Sequence, residues 1–199
     1  MIRASLALPA WAHKPSDSYL TVRVDGEHIT GQWDIALRDL EYAIGLDADG
    51  NGEITWGEVK AKQADIDAYA LVRLAIRAGG ADCPLQAGEH LIDDHTDGAY
   101  VVLRFAGACA QTATALDMRY GLFFDIDAQH KGLLRLQTGD GAGEGTGSTL
   151  SGVFSADRAE QRFELRSRSA LEQFLDFGRE GVWHIWVGFD HVLFLLSLL

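Results

Sequence analysis

Apolar and polar residues alternate in the stretch SYLTVRV, Ser18 to Val24, which is also rich in β-branched side chains. Asp25-Gly26 follows as a turn pair, and alternation resumes through HITGQWDIAL, so the pattern predicts a β-hairpin. The period then changes. Leu37, Leu40, Ala43 and Ile44 recur at helical spacing with Gly45 behind them, which predicts a short helix. Beyond an acidic stretch, Val59, Ile66, Tyr69, Ala70, Leu74 and Ile76 predict a second, longer helix that starts at Trp56 and stops at Gly79-Gly80. From Cys83 the period is two again. CPLQAGEHLI, AYVVLRFAGAC, ALDMRYGLFF, GLLRLQT, TLSGVFS and QRFELRS read as short strands with turn residues between them. The expected class is α+β: a β-sandwich-like or barrel-like sheet domain with a helix-loop-helix, residues 36–78, inserted after the first hairpin.

The acidic stretch between the two helices is DADGNGEITWGE, Asp47 to Glu58. A calcium loop needs carboxylate or amide oxygens at positions 1, 3 and 5, Gly at 6 and Glu at 12. Asp47, Asp49, Asn51, Gly52 and Glu58 fill these positions. Glu53 at position 7 contributes a backbone carbonyl, Ile54 at 8 an apolar strut, and Thr55 at 9 a hydroxyl or a water. Calcium is a hard ion that takes six to eight oxygens, and alternating donors on a tightly turning backbone converge on one point. An EF-hand is therefore expected, with Ca2+ as its ion. The competing readings are an acidic surface turn, a loop that keeps its shape without an ion, and magnesium. A lone loop with three charged ligands should bind at about 10⁻⁴–10⁻³ M, the range of an extracellular module. Two other acidic stretches fit less well. Asp93, His95, Asp97 and Gly98 match positions 1, 3, 5 and 6, but position 12 is Arg104. DIDAQHKG, from Asp125, lacks the glycine at position 6. Both read as polar turns, although His95 with a carboxylate could bind a transition metal. TGDGAGEGTGSTLSG, from Thr138, reads as a flexible loop and not a phosphate cradle, since no GK[ST] follows.

Composition narrows the picture. A formal net charge of -12 on 199 residues disfavours nucleic acid and favours cations as partners. The two cysteines, Cys83 and Cys109, are the right number for one disulfide in an exported domain. Two buried thiols or a metal pair are the alternatives. Residues 1–12 read as a short leader, with Ala10-Trp11-Ala12 as a small-x-small cleavage site. Cleavage there would leave His13 as a terminal residue able to hold copper or nickel. At the other end GVWHIWVGFDHVLFLLSLL, from Gly181 to Leu199, is apolar except for Asp190 and two histidines. About 20 such residues cross a bilayer. Residues 181–199 are thus expected to be a truncated first transmembrane helix of a longer protein, the alternative being a buried core helix. Residues 169–180, with Leu171, Phe174, Leu175 and Phe177 on one face, are expected to form an amphipathic juxtamembrane helix or an ordinary packed one. The domain between, residues 13–168, is expected to be periplasmic.

The apolar terminus carries a second constellation: His184, Gly188, Asp190 and His191. Ionisable residues within a membrane span are expensive and are read as functional by default. Imidazole with carboxylate suits nickel, cobalt or zinc. An interfacial, anchoring histidine pair is the alternative. HKPSDSYL, WDIALRDLEYAIGLDADGNGEITWGEV and GVWHIWVGFDHVLFLLSLL together resemble the HupE/UreJ family of bacterial membrane proteins. The resemblance implies a multi-span inner-membrane protein associated with hydrogenase or urease maturation, with Ni2+ or Co2+ as cargo. His184, Asp190 and His191 are the implied metal path. The nickel-permease form of the motif has Pro directly after its first His, where this chain has Ile185, and the chain resembles the branch with a large exported domain.

Two functions follow as expectations. One is an exported calcium-binding domain ahead of a nickel or cobalt uptake core in the inner membrane, with residues 13–180 on the periplasmic side and lipid around the remainder. The other is a membrane-tethered, calcium-ordered module that binds a periplasmic protein without transport. An enzyme is not expected, because no nucleophile elbow, HExxH or compelling carboxylate pair is present.

Overall fold

β1 (Asp17–Asp25) and β2 (His28–Ala36) form the first hairpin, in antiparallel register from Tyr19↔Asp34 to Asp25↔His28. Alternation dictates its faces: Ser18, Leu20, Val22 and Val24 are buried while the residues between them are half-buried or exposed. The structure is a computed structural model that describes residues 17–139, 148–165, 178, 179 and 181–183. The chain divides into two compact units, residues 1–165 and 166–199. In the second, residues 178, 179 and 181–183 are helical and exposed. The leader-like residues 1–12, most of 169–180, and His184, Asp190 and His191 of the apolar terminus lie outside the described residues.

The first unit is a sheet-rich α+β fold. After β2 come α1 (Leu37–Ile44), α2 (Trp56–Ala61) and α3 (Gln63–Leu71), and then β3 (Leu74–Ala78) and the short β4 (Ala81–Asp82). β5 (Leu85–His95), β6 (Gly98–Ala108), β7 (Ala115–Tyr120), β8 (Lys131–Thr138), β9 (Thr149–Phe154) and β10 (Glu160–Glu164) follow. They build a six-stranded sheet in the order β5-β6-β2-β1-β8-β9 and a four-stranded sheet in the order β10-β7-β3-β4. β1 and β8 pair in parallel. Both sheets contribute to one core: Leu20, Trp33 and Leu136 from the first join Ile76, Met118, Tyr120 and Phe163 from the second.

Two expectations are corrected. The second helix does not run from Trp56 to Gly79. It breaks at Lys62, ends at Leu71, and gives way to β3. Ala70 and Leu74 are four apart and mimic a helical face, but from Leu74 onward the buried positions are Leu74, Ile76 and Ala78, a period of two. The strand expected over 115–124 stops at Tyr120, where the chain turns with Phe123 at φ 61°.

The sheets approach closely through glycine and aromatic pairs. A Cβ on Gly132 of β8 would lie 2.6 Å from the Tyr120 ring of β7, so only glycine fits there. Tyr120 in turn centres a buried polar chain. Its hydroxyl meets Ser18 Oγ and lies 2.9 Å from His130 Nε2, and Trp33 Nε1 donates to Ser18 Oγ at 3.3 Å. Each member of this chain satisfies another inside an apolar core, where an unpaired hydroxyl would cost about 1–3 kcal/mol.

Cys83 and Cys109 are joined as a disulfide, with a Cα–Cα distance of 4.3 Å. Cys83 lies between β4 of the smaller sheet and β5 of the larger, and Cys109 just follows β6. The bond therefore fixes the place where the chain passes from one sheet to the other.

Candidate metal-binding loop

The loop from Asp47 to Glu58 lies between α1 and α2, carried on apolar anchors. Leu40 of α1, Leu46 just before the loop and Val59 of α2 are buried, and Ile54 packs against the same core. Gly45 ends α1 with φ 67°, and its N–H donates to Glu41 O at 2.9 Å. The Glu41 side chain then holds the loop entrance: its Oε2 accepts from the N–H of Leu46, and from that of Asp47 at 2.7 Å. Sequence reasoning missed Glu41 because it lies outside the twelve-residue pattern; only its place on the last turn of the preceding helix could have pointed to it.

Within the loop the donor oxygens turn inward. Asp47 Oδ1 accepts from Gly50 N at 2.8 Å, and Oδ2 from Gly52 N at 2.8 Å. Asp49 Oδ1 accepts from Asn51 N at 3.1 Å, and Asn51 Oδ1 from Glu53 N at 2.7 Å. Gly50 and Gly52 take φ of 71° and 84°, a left-handed backbone that only glycine adopts cheaply. Thr55 and Glu58 form a capping box at the start of α2. Glu58 also reaches across the loop, where Oε1 accepts from Ala48 N at 2.8 Å. One ligand atom each from Asp47, Asp49 and Glu58 lies within 4.8 Å of the others. Two oxygens on opposite sides of a calcium ion are about 4.8 Å apart, twice a bond of about 2.4 Å, so the three carboxylates fit around one ion.

The same N–H groups set the charge. The Asp47 carboxyl is held below the ordinary carboxylate range, first by Gly52 N–H, and the Glu58 carboxyl likewise, first by Thr55 N–H. Both therefore stay charged to lower pH than ordinary carboxyls, and the stability they lend is full above the ordinary carboxylate range and is lost progressively as pH falls from that range through their lowered values.

Asp39, in the first turn of α1, behaves in the opposite way. Burial pushes its carboxyl up to about 6, against the pull of Arg38, whose Nε lies 3.6 Å away. The folded value exceeds the unfolded one, so folding favours the protonated acid. The charged form is penalised progressively between about pH 4 and pH 6, and fully above that. Asp39→Asn is expected to stabilise the protein by about 1 kcal/mol at pH 8, after solvent screening, and by nothing at pH 4. Urea unfolding followed by tryptophan fluorescence at the two pH values measures the difference.

Of the other acidic stretches, the one expected as a turn at Asp93 is mostly strand: Asp93 and His95 end β5, His95 pairs with Gly98 of β6, and only Thr96 and Asp97 make the turn between them. Residues 125–129 lie in turns ahead of β8. Beside the calcium-type loop lies a hollow of about 400 Å³ lined by Leu37, Ile54, Trp56, Val59, Leu91 and Ile92. Trp56 and Ile92 are 48% and 40% exposed on its rim.

Residues 159–199 match the family model described as HupE / UreJ protein. The family resemblance thus holds over the segment from β10 to Leu199. HupE/UreJ proteins are a membrane family tied to nickel and cobalt transport. No curated protein matches the chain. Among the described residues no helix is long and apolar enough to cross a membrane.

Proposed function

We propose that the chain is the exported, calcium-binding portion of a HupE/UreJ-type inner-membrane protein that takes part in nickel or cobalt uptake. The match of residues 159–199 carries this reading. Several features support its parts. The disulfide suits the oxidising periplasm. The inward-turned oxygens of Asp47, Asp49, Asn51 and Glu58, with Glu53 and Thr55 completing the shell, suit Ca2+. His184, Asp190 and His191 supply imidazole and carboxylate donors of the kind that nickel and cobalt prefer. In this reading calcium orders the exported domain and the apolar terminus begins the membrane path.

Cells making the full-length protein should accumulate more nickel or cobalt than cells without it. His184→Ala or His191→Ala should reduce that gain at least tenfold, measured by elemental analysis of washed cells. Unchanged uptake in both variants would overturn the transport reading. A second reading, a calcium-ordered docking module without transport, is favoured by the apolar hollow built on Ile54, Trp56 and Val59. Its partner would be captured in calcium and released by chelator.

A further inference from the structure

We propose that Asn51 and Gly52 form a self-modification site, at which the asparagine amide is lost through a cyclic imide and which bound calcium guards. The idea rests on the reading of this loop as a calcium site and adds a reaction to it. Asn51 is the only asparagine among the 199 residues, and glycine follows it. Both residues are exposed. With no side chain on Gly52, its nitrogen meets least steric resistance in approaching the amide carbon of the residue before it.

The step needs no co-reactant but water. Gly52 N bonds to Asn51 Cγ, the Cγ–Nδ2 bond breaks, and ammonia leaves with the proton that Gly52 N gives up. Water then opens the five-membered ring. Opening at Cγ yields aspartate. Opening at the backbone carbonyl yields isoaspartate, in which the chain runs on through Cγ and is one methylene longer. No electrons are transferred: one amide is hydrolysed to one carboxylate.

The loop holds the reacting groups on separate partners. Gly52 N–H donates to Asp47 Oδ2 at 2.8 Å. The Asn51 amide is tied at both ends, with Oδ1 accepting from Glu53 N at 2.7 Å and Nδ2 donating to Asp49 Oδ2 at 2.9 Å. Ring closure requires Gly52 to leave Asp47 and Asn51 Cγ to swing towards its nitrogen. These are exposed bonds, each worth about 0.5–1.5 kcal/mol net, so without an ion they open often. Calcium would be held by Asp47, Asp49 and Asn51 Oδ1, the same side chains that must move. Mass action makes the open loop rarer by one plus the ratio of free calcium to Kd. For a Kd of about 10⁻⁴–10⁻³ M, calcium at about 10 mM slows the reaction roughly 10- to 100-fold.

The product carries the consequence. Gly52 turns at φ 84° directly behind the inserted methylene. An isoaspartyl link puts Glu58 out of step with Asp47 and Asp49, and the shell no longer closes. A loop left empty for long enough loses its site, so the chain records a lack of calcium.

The test holds the full chain at pH 8 for days, in chelator or in about 10 mM CaCl2. Mass spectrometry follows the peptide containing Asn51, and released ammonia is measured beside it. In chelator that peptide should gain the mass difference between amide and acid, with ammonia above the glutamine background that an Asn51→Asp variant sets. In calcium the conversion should run at least tenfold slower. Calorimetry on the ageing sample should show calcium sites lost in proportion to isoaspartate at position 51. An unaltered Asn51 in chelator would overturn the proposal. So would equal rates in the two arms for a protein whose initial heats show calcium bound. Absence of those initial heats would overturn the calcium reading and the guard with it, while the chelator arm still decides the cyclisation.

Discussion

Glu58→Gln is expected to weaken calcium binding at least about a hundredfold, or roughly 2.7 kcal/mol, while leaving the fold in place. Glu58 is the ligand that would close the shell from α2 with two oxygens. Its carboxylate now accepts the N–H of Ala48 at 2.8 Å and that of Thr55 at 2.9 Å, so it already bridges both ends of the loop. Gln keeps the shape and can still serve at the third position of a capping box. It gives up the negative charge and one strong acceptor. Loss of binding with an unchanged circular dichroism spectrum would assign the effect to the ion and not to α2. Titration with millimolar CaCl2 gives the measurement; equal heats for the variant and the parent would remove this loop from calcium binding altogether.

Breaking the disulfide should have the largest effect on stability. The loop it closes has a sequence separation of 26, for which chain entropy gives about 3.5 kcal/mol. Native contacts reinforce it. Cys83 N–H donates to Ile76 O and Cys109 N–H to Glu27 O, each at 2.8 Å, so the bond is set in backbone already fixed on both sides. Cys83→Ser/Cys109→Ser, or reduction of the parent, should shift urea unfolding by about that amount. A shift under about 1 kcal/mol would mean that the two sheets hold this junction without it.

What the sequence disclosed and what it hid follow from distance along the chain. The acidic loop was legible because all its oxygen donors fall within twelve residues, between short amphipathic helices. The strands from Cys83 onward were legible because alternation is a local signal; β5, β6 and β8 lie where it put them. β3 was hidden because Ala70 and Leu74 satisfy a helical spacing just where the period changes. The parallel pairing of β1 with β8, Asp17↔Lys131 through Val24↔Thr138, leaves no local trace, since both strands alternate just as an antiparallel pair would. The same holds for the meeting of Asp34 with His95. The stretch DDHTD announced a histidine among acids, but only the sheet register brings a buried carboxylate from β2 to its nitrogen.

The family-matched segment begins at residue 159, inside the first unit, because β10 hydrogen-bonds with β7 from Glu160↔Arg119 to Glu164↔Ala115. Evolutionary kinship and folding autonomy therefore part at different residues. A soluble fragment trimmed where kinship starts would bare the edge of β7, an invitation to aggregate, and strip Phe163 from above Gly152. The cut that respects the physics falls after Leu165, whose N–H still fastens to Thr114 O at 2.9 Å.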